Sequence, residues 1–215
     1  MTPDPLLWLS EQNMNMVAVM EEPDLFGATP SPVEHRTYFA LYPPPDIAVR
    51  IERYARDLAR GQFARRIVAA ARLHISLNGL QRGQQLAPEE TEEALMIGEA
   101  VRRPPFDLVF DRVQTWDGGR EQARRGPAPT VLCCSDLPRE ALALYEDLRR
   151  RMQEAGMRTG RSAFNPHITL FYAPGRLPTR TLPRPLRLHI DRFCLVHTAT
   201  GTMRPDYLAS WPLKL

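Results

Sequence analysis

The spacing of apolar and polar positions divides this chain into an irregular leader and a regular body. Up to residue 35 the apolar runs are short, and Pro3, Pro5, Pro23, Pro30 and Pro32 interrupt them. Residues 1–35 are therefore expected to form an extension, with at most a stub helix near Leu6–Met20. From Thr37 the pattern becomes regular. Thr37–Tyr42 is aromatic and β-favouring and predicts a strand. Pro43-Pro44-Pro45 ends it. Asp46 can cap a helix over 47–60 with Ile47, Ile51, Tyr54, Ala55 and Leu58 on one face and Gly61 beyond its end. Leu73–Leu80 predicts a second strand. A helix follows from Pro88 to about Val101, with acids in its first turn, and then a third strand over Phe106–Trp116. After a loop from Asp117 to Pro129 the order returns: a strand over Thr130–Ser135, a helix over 139–155 that stops at Gly156, and a strand over His167–Tyr172.

The recurrence is also one of residues. At an offset of 93, Thr37 falls on Thr130, Pro45 on Pro138, Ile51 on Leu144, and His74-Ile75-Ser76-Leu77 on His167-Ile168-Thr169-Leu170. The second half then omits one helix and the offset drops to 80, where Asp111-Arg112 meets Asp191-Arg192. A βαβ-like unit used twice explains these matches, and no long tandem array is present.

Composition narrows the class. The 215 residues can bury one core or build two small lobes, and no apolar run approaches the length of a membrane helix. The net charge of +3 is uneven. Residues 1–35 hold Asp4, Glu11, Glu21, Glu22, Asp24 and Glu34 with no Lys or Arg, a balance of −6, so the rest of the chain carries +9. Nearly all of the positive charge is arginine, since Lys214 is the only lysine. A basic, arginine-rich body suits an anionic ligand such as a nucleotide or RNA. Cys133, Cys134 and Cys194 are odd in number and lack CxxC spacing, so they read as core thiols in a reducing, cytoplasmic setting. No HExxH or Cys/His finger spacing occurs, so no metal and no cofactor is expected. Nothing in the sequence sets the oligomeric state, and a monomer is the expectation.

The two His-Ile-Ser/Thr-Leu tetrads carry the sharpest chemical signal. On a strand, alternate side chains share a face, so His74 and Ser76 lie on one side with Ile75 and Leu77 on the other, and His167 and Thr169 repeat the arrangement. Two opposed imidazoles suit the cleavage of a phosphodiester. One takes a proton from the attacking water and the other gives a proton to the leaving oxygen, while the hydroxyls donate to non-bridging oxygens. Weaker candidates for substrate contact are Tyr172, the loop arginines Arg120, Arg124 and Arg125, and Trp116, whose ring can stack on a base. Arg149-Arg150-Arg151 reads as the solvated face of a helix.

With these residues in place, the chain resembles the two-histidine (2H) phosphoesterase superfamily. It is most similar there to the bacterial RNA 2′,3′-cyclic phosphodiesterases of the LigT, or 2′-5′ RNA ligase, family. The likeness covers residues 36–215 and rests on Arg36-Thr37-Tyr38-Phe39-Ala40-Leu41, Leu73-His74-Ile75-Ser76-Leu77 and Asn165-Pro166-His167-Ile168-Thr169-Leu170. It implies a bilobal α+β fold with antiparallel sheets around a central cleft. It also implies metal-independent opening of 2′,3′-cyclic phosphates to 2′-phosphates, with His74 as general acid, His167 as general base, and Ser76 and Thr169 holding the phosphate. The chain departs from the family pattern at Ser76, where Thr is commoner, and at Phe171-Tyr172, where many relatives carry a basic residue. Two other functions share these features: 2′-5′ ligation, the reverse reaction with a 5′-hydroxyl, and a nucleotide- or RNA-binding module with little catalysis.

Overall fold

A computed structural model describes residues 33–64, 66–116, 127–159, 163–202 and 204–215. The expected stub helix and the loop arginines Arg120, Arg124 and Arg125 lie outside the described residues. In chain order the elements are β1 (His35–Leu41), α1 (Pro45–Ala59), β2 (Arg66–Ile67), a 3-10 turn (Ala70–Arg72), β3 (Ile75–Gly83), α2 (Pro88–Glu99) and β4 (Phe106–Thr115). After these come β5 (Ala128–Cys133), α3 (Arg139–Glu154), β6 (His167–Ala173), β7 (Arg180–Ile190), β8 (Arg192–Ala199) and β9 (Asp206–Pro212).

The strands form two antiparallel sheets, one ordered β3-β1-β8-β9 and the other β2-β6-β5-β4-β7, as the α+β reading expects. Each half of the chain supplies a strand to the other half's sheet: β4 lies beside β5, and β8 lies beside β1. The two halves are therefore tied together by backbone hydrogen bonds as well as by side-chain packing. The apolar faces of both sheets and the helices share one large cluster that includes Phe39, Leu73, Phe110, Leu144, Phe171 and Phe193. Cys133, Cys134 and Cys194 are free thiols buried in the fold. Among the described residues no helix is long and apolar enough to cross a membrane.

Several expectations are corrected. The strand expected from Leu73 opens only at Ile75, because the 3-10 turn over Ala70–Arg72 precedes it and leaves Leu73 and His74 as a short extended link. Asp46 does not cap α1. Pro44 occupies the N-cap position, so Asp46 falls in the first turn, where its charge still meets the positive end of the helix. The buried stripe of α1 is Ala48, Ile51, Ala55 and Ala59, and Tyr54 stands outside it, 37% exposed. The arginines of α3 are not simply a solvated face: Arg150 and Arg151 both bind the buried carboxylate of Asp147, which also receives Arg103 from the segment before β4. The match of Asp111-Arg112 with Asp191-Arg192, read as lying within strand-like stretches, holds for Asp111, Arg112 and Arg192, but Asp191 lies at the joint between β7 and β8.

Gly98 shows how closely α2 is seated on the first sheet. A Cβ at this position would collide with the ring of Trp211, which itself packs against Phe39 and Phe193. Helix propensity alone favours Gly98→Ala by about 1 kcal/mol. Overpacking costs about 1–3 kcal/mol, so the variant is expected to be less stable than the parent. Urea denaturation gives the sign, and a stabilised variant would show that Trp211 has room to move.

Candidate active site

Both tetrads sit at the N-terminal edge of a strand, β3 in one sheet and β6 in the other. Burial alternates along each as expected: Ile75, Leu77, Ile168 and Leu170 are buried, whereas His74, Ser76, His167 and Thr169 are half-buried or exposed. The aliphatic members anchor the strand in the core, and the polar members are turned the other way. Just past each tetrad's hydroxyl the ladder is bulged by an extra residue on the motif-bearing strand, once in β5–β6 and, in β1–β3, with a second shift between Thr37 and Tyr38. In β6 the extra residue resets the phase, so Tyr172 is half-buried between the buried Phe171 and Ala173.

The two histidines are held in the same way. Nδ1 of His74 lies 2.8 Å from the carbonyl oxygen of Arg72, and Nδ1 of His167 lies 2.9 Å from that of Asn165. A carbonyl can only accept, so each Nδ1 carries the proton that it donates to the residue two positions back. In the neutral ring, Nε2 is then the basic nitrogen, directed away from its own backbone. Both rings are shifted by their surroundings. Burial above all, with the charges of His167 and Arg72 behind it, sets the His74 imidazole below its ordinary value of 6.5, against the contrary pull of the Arg72 carbonyl. Burial likewise lowers His167, against the contrary pull of the Asn165 carbonyl.

The surroundings differ. The ring of His74 lies 5.1 Å from Tyr38 and 5.9 Å from Tyr42, and Tyr42 meets Tyr207 at 4.9 Å. Burial drives the Tyr42 phenol far above its usual range, so it is a neutral wall. Trp116 lies just beyond β4, where its amide binds the carbonyl of Pro129 at 2.9 Å. Its ring covers His167 at 4.0 Å between centroids. Trp116 is thus brought to the second imidazole, while Tyr172 is placed further along β6, opposite Arg66 and Pro129.

Sequence reasoning missed Arg72. Its carbonyl orients His74, its guanidinium donates to the Thr202 carbonyl at 2.6 Å, and its charge acts on His74. It missed Tyr38 and Tyr42 as well, although both lie in the aromatic stretch that predicts β1. No sequence period marks an orienting carbonyl, but both orienting residues stand two places before a tetrad histidine.

Such a site offers two basic nitrogens with fixed tautomers, two hydroxyls and aromatic walls on separate strands of a duplicated fold. The paired tetrads resemble those of the two-histidine phosphoesterases. The family model described as the 2′-5′ RNA ligase superfamily matches residues 43–202, and the chain belongs to that family. Its fold is similar to that of E. coli LigT solved with 3′-AMP, with a TM-score of 0.69 and 23% identity over 85% of this chain and 99% of LigT. It is also similar to E. coli LigT solved with ATP, with a TM-score of 0.66 and 22% identity over 85% and 99% of the two chains. The protein TT0787 of Thermus thermophilus aligns with a TM-score of 0.65 and 20% identity over 83% of this chain and 98% of that one. No curated protein matches the chain.

Lowered imidazole values have a definite sign in stability. Between the lowered folded value and 6.5 the unfolded chain binds more protons at these histidines than the folded one, so stability falls as pH drops through that window. Proton NMR should find both His74 and His167 titrating below 6.5, and His167→Gln should move His74 upward by removing a like charge. A His74 titration unaffected by that substitution would separate the two rings.

Proposed function

We propose that this protein opens 2′,3′-cyclic phosphate ends of RNA or nucleotides to 2′-phosphates with its two histidines. The observation that carries the reading is the matched tautomer: each imidazole commits Nδ1–H to a carbonyl two residues back and keeps Nε2 for proton transfer. Nε2 of His167 takes a proton from water as its oxygen bonds to phosphorus. The P–O3′ bond breaks, and His74 passes its Nε2 proton to the departing O3′. A bound phosphate anion offsets the desolvation that lowers His74 and so keeps it protonated for this step. Ser76 and Thr169, on the same faces as the histidines, donate to the non-bridging oxygens. Trp116 and Tyr172 contact the nucleoside, and the +9 balance of residues 36–215 favours an anionic substrate. The relative solved with 3′-AMP accords with a nucleotide ligand. Proton transfer and these donors require no metal. Residues 1–35, which hold the −6, stand outside this machinery.

Each of His74→Ala and His167→Ala should lower kcat by about 10²–10⁴. The double variant should lose much less than the product of the two losses, because a concerted pair fails as a unit. The product, read by phosphorus NMR against authentic 2′- and 3′-AMP, should be the 2′-phosphate, and turnover should survive EDTA. A 3′-phosphate product would reverse the acid and base. Turnover lost to EDTA and restored by a divalent ion would replace this mechanism. Net joining of a 5′-hydroxyl end with little hydrolysis would favour the ligase, and binding without turnover would favour a recognition module.

A second outcome concerns the leader. A chain starting at Val33 keeps Glu34, whose carbonyl receives the Thr200 amide at 3.0 Å. It should turn over a small cyclic nucleotide at the parental rate. An insoluble or inactive product would tie the leader to the fold.

A further inference from the structure

The carbonyls that orient the histidines belong to short segments that need holding themselves. In the first half, the carboxylate of Glu52 on α1 reaches out of its helix and accepts the backbone N–H of Ala70 at 2.8 Å. Ala70 opens the 3-10 turn that ends at Arg72, and the amides of Arg72 and Leu73 close that turn onto Ala69 and Ala70. Glu52 is itself steadied by Arg56, whose Nε donates to its other oxygen at 3.0 Å. Partial burial would raise this carboxyl, but the bonds from Arg56 and Ala70 hold it below the usual carboxylate range. The carboxylate thus fixes the start of the turn, the turn fixes the Arg72 carbonyl, and that carbonyl fixes His74.

The equivalent position in the second half, 93 residues on, is Tyr145 of α3. Its grip is aromatic. The buried ring stacks on Phe164, with centroids 4.8 Å apart and planes nearly parallel at 9°. Phe164 directly precedes Asn165, whose carbonyl orients His167. The same helical position therefore holds the same pre-histidine segment in both halves, once through a hydrogen bond and once through an aromatic stack.

We infer that Glu52 and Tyr145 are the positioning residues of the two imidazoles, each acting on the histidine of its own half. Neither touches the reacting atoms; each acts by setting the carbonyl that selects the tautomer. The kinetic part of this inference rests on the proposed cyclic phosphodiesterase reading, and the spectroscopic part does not.

The test uses the full chain and long-range nitrogen–proton NMR, which distinguishes Nδ1–H from Nε2–H in each imidazole. In the parent, both histidines should be Nδ1–H. Glu52→Ala should give His74 a mixture of tautomers and leave His167 unchanged. Tyr145→Leu should do the reverse. Glu52→Asp keeps the charge but shortens the arm by one methylene, so it should behave as Glu52→Ala. Glu52→Gln keeps an oxygen in reach of Ala70 and should restore the parental spectrum. Arg56→Gln, which removes only the ion pair, should leave the His74 signals in place.

On a 2′,3′-cyclic nucleotide, Glu52→Ala and Tyr145→Leu should lower kcat about ten- to a hundredfold, the scale of a small misplacement of a catalytic group, with KM near that of the parent. Parental tautomers in Glu52→Ala and Glu52→Asp, or equal disturbance of both histidines by either substitution, would overturn the inference. So would a Glu52→Gln variant as impaired as Glu52→Ala. If the parent shows no turnover, the functional reading fails while the tautomer spectra still decide the positioning. If Glu52→Ala does not fold, the Asp and Gln variants decide it instead.

Discussion

Everything in the site depends on two hydrogen bonds from an imidazole to its own backbone. A free histidine can hold its proton on either nitrogen, and only one choice leaves Nε2 basic. Binding Nδ1–H to a carbonyl two residues back makes that choice through the backbone. The device works only if the segment before the strand bends enough to turn its carbonyl toward the ring. That requirement explains why the first strand does not open until Ile75: a ladder continued back through Leu73 would direct that carbonyl elsewhere. The extended link after the 3-10 turn is therefore part of the site.

Orientation of each ring does not set the relation between them. The sheet topology does. Because β4 crosses to the second sheet and β8 to the first, neither half can shift without breaking a ladder, whether β4 with β5 or β8 with β1. The His74 strand is bonded to β1, the His167 strand to β5, and both central strands are tied across the duplication. Packing adds to this through the shared apolar cluster. The charge of His167 that helps to lower His74 acts within this frame.

Legibility followed the kind of interaction involved. Alternation along His74–Leu77 and His167–Leu170 could be read because burial imposes a period of two, and the duplication placed one tetrad on the other. Most elements followed from apolar spacing and from Pro and Gly stops, whereas the α+β class with antiparallel sheets came from the family resemblance. The 3-10 turn could not be read. Ala69-Ala70-Ala71-Arg72 has no turn residue, and its geometry comes from a carboxylate eighteen positions earlier. The buried role of Asp147 was hidden for a similar reason. Its partners Arg150 and Arg151 are close in sequence and look like an ordinary charged helix face, while Arg103, which draws the cluster inward, comes from another element. The phase of Tyr172 was concealed by a bulge, which shifts alternation without leaving a composition signal.

Comparison of the two halves shows what the duplicated fold conserves within this one chain. The side chains around the two imidazoles have diverged: Tyr38 and Tyr42 wall one ring, and Trp116 covers the other. The residues behind the carbonyls have diverged too, a carboxylate in one half and an aromatic ring in the other. What coincides is backbone: the carbonyl two residues before each histidine and the bulge after each hydroxyl. A tautomer depends on where an acceptor sits and not on what holds it there, so different supports can serve one geometry. The same latitude lets the two walls differ. On the proposed reading, an imidazole that loses a proton and one that gains it need the same orientation but different surroundings, and a duplicated backbone with divergent side chains can supply both.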